Sequence, residues 1–390
     1  MLTLRLAWRN ITGAGLRTWL NVGVLSFIYV LVIWHQGILL GMQRHAVNAM
    51  ISDEISGGQF WCRGYDPFDP LTIEDSHQNI PTDLLSLIDE ETATPILVRP
   101  GTIYPKNRMQ SILIKGIDPD QRILDIPSSD LQDIPHRLPV MVGKTMARKN
   151  GLTQGEEFVI RWRDADGTFD AIEGHIVSIM DTIVPAIDQG QIWVPLADLQ
   201  ELSGMAKQAT LVVVDQQVRG LPAAKNWVFK DQANLLRDVN DMVNSKRGGA
   251  VFMYIILMFL AMLAIFDTQV LAIFRRRREI GTMMALGMPR IRVIGLFTLE
   301  GILLGILAIG VAAVYGIPAL YYTAQKGLPI SDDTSDWGFA VASRLFPAYS
   351  AALITGTVAI VMITITIVSF LPSRRIAKLN PTDALKGKLT

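Results

Sequence analysis

Arg275-Arg-Arg-Arg-Glu-Ile-Gly-Thr-Met-Met-Ala-Leu-Gly-Met-Pro-Arg-Ile-Arg292 is short and strongly basic, with six arginines against one acid, Glu279. What lies on either side decides the fold. Upstream, Gly248 to Phe266 carries no charge, and the apolar run continues through Asp267-Thr268-Gln269 to Phe274. Downstream, Val293 to Tyr322 carries one charge, Glu300. About 20 apolar residues in a helix cross a bilayer. The basic stretch therefore reads as a loop over 275–292 between two membrane spans, at 248–274 and 293–322.

Two more apolar runs flank this hairpin. Tyr349 to Pro372 holds no charge, and Leu20 to Leu40 is apolar except at positions such as Asn21, Ser26, His35 and Gln36. A signal peptide is the alternative for the latter, because Arg5, Arg9 and Arg17 precede it. Its length, and the lack of a small-residue cleavage site before Gln43, favour a span. Charge sets the orientation. Residues 1–19 hold three Arg and no acid, and residues 373–390 hold five bases and one acid, Asp383. With the loop, these short segments gather 14 bases against 2 acids, leaving 22 against 34 elsewhere. Short basic segments stay in the cytoplasm. Both termini and the loop are expected inside, and residues 41–247 and 323–348 outside.

The expected fold is an α-helical membrane protein. It has four transmembrane helices, at 20–40, 248–274, 293–322 and 349–372, and a large α/β periplasmic domain inserted between the first and second. Composition agrees. Half of the 390 residues are hydrophobic and 18% are charged, against about 25% charged in a typical soluble domain. Disordered, collagen-like and disulfide-stapled chains are excluded. The one cysteine, Cys62, permits neither an internal disulfide nor a cysteine zinc site. Basic and acidic residues both total 36, so nothing marks a nucleic-acid binder.

The 41–247 block, roughly 200 residues, is long enough for its own core. Strand-like runs occupy 110–116, 157–162, 175–180 and 210–214. Asp164-Ala-Asp-Gly167 is a turn between two of them. Residues 144–150 and 196–202 suit short helices, the former ended by Gly151. At the borders, Leu235, Leu236, Val239, Met242 and Val243 share one helical face leading into the second span, and Met42, Ala46, Ala49 and Met50 prolong the first. Segments 41–51 and 232–247 are thus expected as stalk helices. Ordinary juxtamembrane helices have the same periodicity.

No catalytic constellation is visible. The five histidines (His35, His45, His77, His136, His175) are scattered without an HExxH frame, so no metal site is expected, and no Ser sits in GxSxG. Gly143-Lys144-Thr145 resembles the end of a phosphate-binding loop, but the glycine needed five residues earlier is Leu138. The chain is expected not to be an enzyme and to hold no cofactor. Within the spans, His35, Asp267 and Glu300 are the polar suspects, since ionisable groups in lipid face protein or water. Placement of Asp267 and Glu300 near the headgroups is the plainer alternative. The third span carries Gly301, Gly305, Ala308, Ala312 and Gly316 along one face. Small residues so arranged let helices pack closely in lipid. In the loop, Ile280, Met283, Met284 and Leu286 make a short, partly apolar helix suited to a membrane surface or a partner's groove.

Arg278-Glu-Ile-Gly, Ala285-Leu-Gly287 and the span opening Leu-Phe-Thr-Leu-Glu300-Gly resemble the signature of the FtsX/MacB/lipoprotein-releasing permeases, the type VII ABC transporters. Leu6-Ala-Trp-Arg-Asn10 and Leu16-Arg-Thr18 resemble their N-terminal amphipathic segment (1–19). Gly116-Ile-Asp-Pro119, Val142-Gly-Lys-Thr-Met-Ala147 with Gly151-Leu and Gly155-Glu, and Trp193-Val-Pro-Leu-Ala-Asp-Leu-Gln-Glu-Leu202 resemble their periplasmic core domain. Arg374 to Leu385 resembles their C-terminal tail. At Asp267 relatives more often carry Asn.

The resemblance implies a bacterial inner-membrane permease that couples ATP hydrolysis to periplasmic work by mechanotransmission. ATP and Mg are bound by a separate dimer of ABC ATPase subunits. Glu279, Ile280, Gly281, Met284, Ala285, Leu286 and Gly287 would form the coupling helix docked on it. A second permease, identical or similar, completes the pair among the membrane lipids. Length and layout match lipoprotein-releasing permeases, which implies extraction of an acylated protein through an opening between the first and second spans. Efflux or peptide export with a periplasmic partner is the alternative. A membrane-anchored sensor is the alternative of another class.

Overall fold

The computed structural model describes Ala7, Arg9 and residues 15–132, 137–182, 184–329 and 344–374. Most of the 1–19 segment, the 323–348 loop and the 373–390 tail, and all of His136, lie outside the described residues. In chain order the main elements begin with α1 (Leu16–Met50), β1 (Gly58–Cys62), α2 (Pro70–Asp75), β2 (Gln78–Asn79), α3 (Thr82–Asp89), β3 (Ala93–Ile103) and β4 (Gln110–Ile117). Next come β5 (Leu138–Gly143), α4 (Lys144–Asn150), β6 (Glu157–Arg163), β7 (Phe169–Met180), α5 (Pro185–Gly190), β8 (Gln191–Pro195) and α6 (Leu196–Leu202). The remainder is β9 (Gln208–Ala209), β10 (Leu211–Val214), β11 (Trp227–Asp231), α7 (Gln232–Leu235), α8 (Arg237–Arg275), α9 (Arg277–Ala285), α10 (Arg290–Lys326) and α11 (Ala351–Ser373). Two units emerge: residues 1–42, 243–328 and 345–390 form a helical one, and residues 43–242 with 329–344 an α/β one.

In the helical unit, α1, α8, α10 and α11 are long and apolar enough to cross a membrane. Leu25, Tyr29 and Val32 of α1, Ala261 and Ile265 of α8, Ala308 and Ala312 of α10, and Val361 and Ile365 of α11 share one core. The opposite faces stay bare. Phe252, Ile255, Phe259, Leu260 and Leu263 of α8 are each more than half exposed. A continuous apolar face of that kind is a liability in water and the ordinary state in lipid. Local signals set the helix ends. The Ser350 hydroxyl accepts the Leu353 amide at 3.1 Å to start α11, an N-cap worth about 1 kcal/mol. Gly327, at φ +67, ends α10.

The α/β unit is built on one nine-stranded sheet. Strands β3-β4-β8-β5-β7-β6 pair in that order, and β6 returns to pair with β3, closing a ring. The first half of β3 also pairs with β10, from which β1 and β11 continue the sheet. The β4–β8 and β5–β7 pairs are parallel, which makes the sheet mixed. Side chains alternate between two cores as the strand period of two requires. Val140, Val142, Ile192 and Val194 join one core, while Met141 and Trp193 join the other.

The strands expected at 110–116, 157–162 and 210–214 occur as β4, β6 and β10, and the one expected at 175–180 is the end of the longer β7. Helices α4 and α6 occupy 144–150 and 196–202. Gly151, at φ +61, closes α4 with bonds from Gly151 N to Arg148 O and from Leu152 N to Ala147 O, the Schellman arrangement. The single helix expected over 232–247 instead begins as α7 and resumes as α8 after a turn at Leu236. Of its expected face, Leu236 and Val243 are buried and Met242 is exposed.

Helix α1 runs on into a π-helical turn, Ile51–Ile55. Glu54 of that turn pairs with the buried Lys115 of β4 at 2.7 Å. Asp53 accepts the Thr182 hydroxyl at 2.7 Å, and Gln232 of α7 donates to the Ser56 carbonyl at 2.5 Å.

Candidate functional site

The basic loop folds as expected in kind and differs in detail. Its helix, α9, has an inward face. Ile280 and Gly281 are buried, and Met283, Met284 and Met288 pack beside Ile273, Val293, Ile294 and Phe297. Glu279, Ala285, Leu286 and Gly287 are exposed, Leu286 at 83%. The seven residues expected to touch a partner therefore divide. Four are open to one, and Ile280, Gly281 and, in part, Met284 hold the helix to its own chain. Leu286 and Gly287 lie just beyond the helix. Gly287, at φ +92, closes it through Gly287 N to Met284 O and Met288 N to Met283 O. This is again the Schellman geometry, which favours glycine at that place.

Arg276 separates α8 from α9. Its guanidinium Nε donates to Glu279 at 2.8 Å and its Nη1 donates to Glu300 of α10 at 3.0 Å. It lies 5.4 Å from the centre of the Phe297 ring. Burial by itself would lower the Arg276 pKa, but the hydrogen bonds and charge of Glu279 and Glu300 outweigh it and raise it. Glu300 is 7% exposed. Its side chain is turned into the protein, where it holds the loop to α10. Asp267 is exposed and is not part of this cluster. Next to it, Thr268 accepts from Asn21 of α1 at 2.9 Å.

The small-residue face of α10 is buried throughout: Gly301, Gly305, Ala308, Ala312 and Gly316. A Cβ at Gly301 would overlap Ser369 of α11, one at Gly305 would crowd Met362 and Ile365 of α11, and one at Gly316 would meet Val30 of α1. The contacts lie within this chain. The phosphate-loop lookalike also has a structural partner. The Asp188 carboxylate accepts the Thr145 amide at 2.7 Å at the start of α4, and Lys144 pairs with Asp181 at 2.8 Å. An acid thus occupies the place an anion would take at a helix start. Among the described residues no three His, Cys, Asp or Glu side chains gather as a metal site would need.

The helical unit also has a half-open cavity of about 790 Å³ lined by α1, α8 and α11, within the size range of small-molecule sites. Val32, Leu39, Met258, Met262, Val361 and Ile367 are among its apolar walls. Its polar groups are few: Gln36, Arg247, Tyr254, Ser350, Thr357 and Thr364. Among the described residues lining it, Arg247 is the charged one, on α8 in the turn before Ala250. Neither this cavity nor the bridging role of Arg276 follows from the sequence. The available signal was the polar group in each apolar run (Gln36 in the first, Glu300 in the third), but its partner depends on how the helices return.

Residues 251–381 match the family model described as FtsX-like permease C-terminal, a segment that takes in α9, α10, α11 and most of α8. No match is found among curated proteins. Among solved structures, the chain is similar to the extracellular domain of the noncanonic ABC-type transporter YknZ from Gram-positive bacteria. That similarity is at 15% identity over 47% of this chain and 94% of that one, with a TM-score of 0.27.

Proposed function

Starting from the FtsX-like permease domain that this chain carries over residues 251–381, we propose that it takes acylated proteins out of the membrane on energy released by a separate ATPase. As an FtsX-like permease of an ABC transporter, it works with an ATPase partner. In this reading the exposed residues of the loop, Glu279, Ala285, Leu286 and Gly287, meet an ATPase dimer. The Arg276–Glu300 bridge makes α9 and α10 move together. Helices α1 and α8 carry that movement towards the α/β unit, on the periplasmic side, where the work is done. A second permease and the surrounding lipid cover the bare face of α8.

The observation that carries the acyl substrate is the cavity. Its walls are apolar, one guanidinium lines it, and it lies between the first, second and fourth spans. An acyl chain fits such a lining because burying each methylene gains about 0.8 kcal/mol when it leaves water, and nearly nothing is lost when it leaves lipid. The test is release. The chain is purified from native membranes with its ATPase and placed in vesicles carrying a triacylated lipoprotein. ATP-dependent appearance of that lipoprotein in the soluble fraction is expected. Retention of the lipoprotein, with ATP-driven movement of a small molecule instead, would transfer the reading to efflux. A kinase in place of the ATPase would transfer it to a sensor.

A further inference from the structure

Two of the long apolar helices end in the same way. On α8 the bare side chains of Phe259, Leu263 and Phe274 recur on one helical face. The guanidinium of Arg277 lies over the Phe274 ring, 4.3 Å from its centre. On α11 the bare side chains of Ile363, Ile367 and Phe370 recur on one face. Arg374, exposed and on that same face, lies over the Phe370 ring at 5.9 Å. Each stripe thus passes from aliphatic groups to a partly exposed ring and then to a guanidinium. A ring occupies one flat face of a guanidinium and leaves the N–H groups in its plane free to donate.

The neighbouring acids do not meet these arginines. Glu279 and Glu300 hold Arg276. Asp267 stands before Phe274 on α8, about two turns further into the span. No described carboxylate pairs with Arg275, Arg277, Arg278, Arg290, Arg292 or Arg374. The Arg277 Nε is enclosed and has no hydrogen-bond partner among the described residues. We propose that each of these two ends, Phe274–Arg277 and Phe370–Arg374, holds the headgroup phosphate of an anionic phospholipid. This lipid is resident on the outside of the helical unit and separate from the cargo, whether that cargo is an acylated protein or a small molecule. The fit is by zones. The bare stripe meets acyl chains, the ring lies at their boundary with the headgroups, and the guanidinium offers its fork of N–H groups to phosphate oxygens. Phosphatidylglycerol suits this rim better than phosphatidylethanolamine, whose ammonium would lie among unpaired arginines. A phosphate on Arg277 also fixes the start of α9, next to the residue that bridges Glu279 and Glu300.

The test is native mass spectrometry of the full chain, released from mixed micelles holding equal amounts of phosphatidylglycerol and phosphatidylethanolamine. The unaltered chain is expected to retain phosphatidylglycerol in preference, up to one molecule at each end. Arg277→Gln and Arg374→Gln are each expected to weaken one of the two about fivefold, the factor expected for one basic residue beside anionic lipid. The double variant should retain neither. Arg277→Lys keeps the charge without the fork and should fall between. Arg290→Gln with Arg292→Gln removes as much charge from the same loop and should leave both lipids bound. All variants should melt as the unaltered chain does in lipid-free detergent, so that lipid loss is read on a folded protein. If the Arg290/Arg292 pair of changes costs as much lipid as the Arg277/Arg374 pair, the two sites give way to a diffuse field and the proposal fails. Equal retention of the two lipids, or none of either, overturns it as well. Retention of inorganic phosphate in place of lipid, when both are supplied, assigns the arginines to a free anion and overturns the lipid.

Discussion

Glu300 and Arg276 show how a charge survives at the end of an apolar run: it is paired, and the pair joins two helices. Glu300→Gln keeps an acceptor but removes the charge, leaving Glu279 as the one carboxylate bonded to the half-buried guanidinium. A hydrogen bond to a charged group is worth about 1.5–3 kcal/mol. Thermal unfolding in detergent should shift down accordingly, and proteases should cut within 276–288 sooner. Glu279→Lys places a second cation beside Arg276, and ATPase rate and transport should come apart while membrane insertion is unchanged. Gly287→Ala is limited by backbone alone, since nothing lies within 4 Å of an added Cβ. A positive φ costs an ordinary residue about 1–2 kcal/mol, so the expected defect is again in transport per ATP. Cys62 is 2% exposed, and burial pushes its thiol up to about 11. A raised thiol pKa means the unfolded chain ionises first, so this group's contribution to stability falls as pH rises from about 9 to about 11. Maleimide at pH 8 should leave Cys62 unmodified until the protein is unfolded.

Helix α10 acts as the axle of the helical unit. Its small residues admit α11 at Gly301 and Gly305 and α1 at Gly316. Gly305→Leu forces Met362 and Ile365 aside, and overpacking of this kind costs about 1–3 kcal/mol. The chain should lose thermal stability in detergent as a single subunit, with no dependence on protein concentration; a defect seen only in assembly of two permeases would place the contact elsewhere. The π-helical turn after α1 is the corresponding element of the α/β unit. Lys115→Met would leave Glu54 largely buried beside an apolar side chain, a change that costs about 3–5 kcal/mol for a well-buried pair. Adding Glu54→Gln should recover most of that loss, because removing both charges together is often near neutral. Calorimetry of the full chain reads both variants.

Among the described residues the phosphate-loop lookalike at 143–145 is filled by Asp188, and the basic loop offers an exposed rim at Glu279 and residues 285–287. Purified free of companions, the chain should hydrolyse no nucleotide, and an ABC ATPase should accompany it out of native membranes. Cysteine labelling at 285–287 should proceed only from the cytoplasmic side. Labelling there from the periplasmic side would reverse the orientation and detach the loop from any ATPase.

How much could be read in advance depended on whether the signal was local. The spans, the loop helix, α4, α6 and the strands β4, β6 and β10 follow from runs, periodicity, proline and glycine along a few neighbouring residues. Strand β3 is not legible in the sequence because Pro95, Pro100 and Gly101 interrupt it, and proline in a strand argues against one. Here pairing with β10, β4 and β6 holds those residues in register regardless. The inward turn of Ile280, the bridge from Arg276 to Glu300, the Lys115–Glu54 pair and the cavity beside His35 and Tyr254 all join residues far apart in the chain. Hydrophobicity and charge along a chain determine which segments leave water and which side the basic ends keep. Which polar groups then find each other depends on the angle and register at which those segments pack, and that is decided only when the whole structure closes.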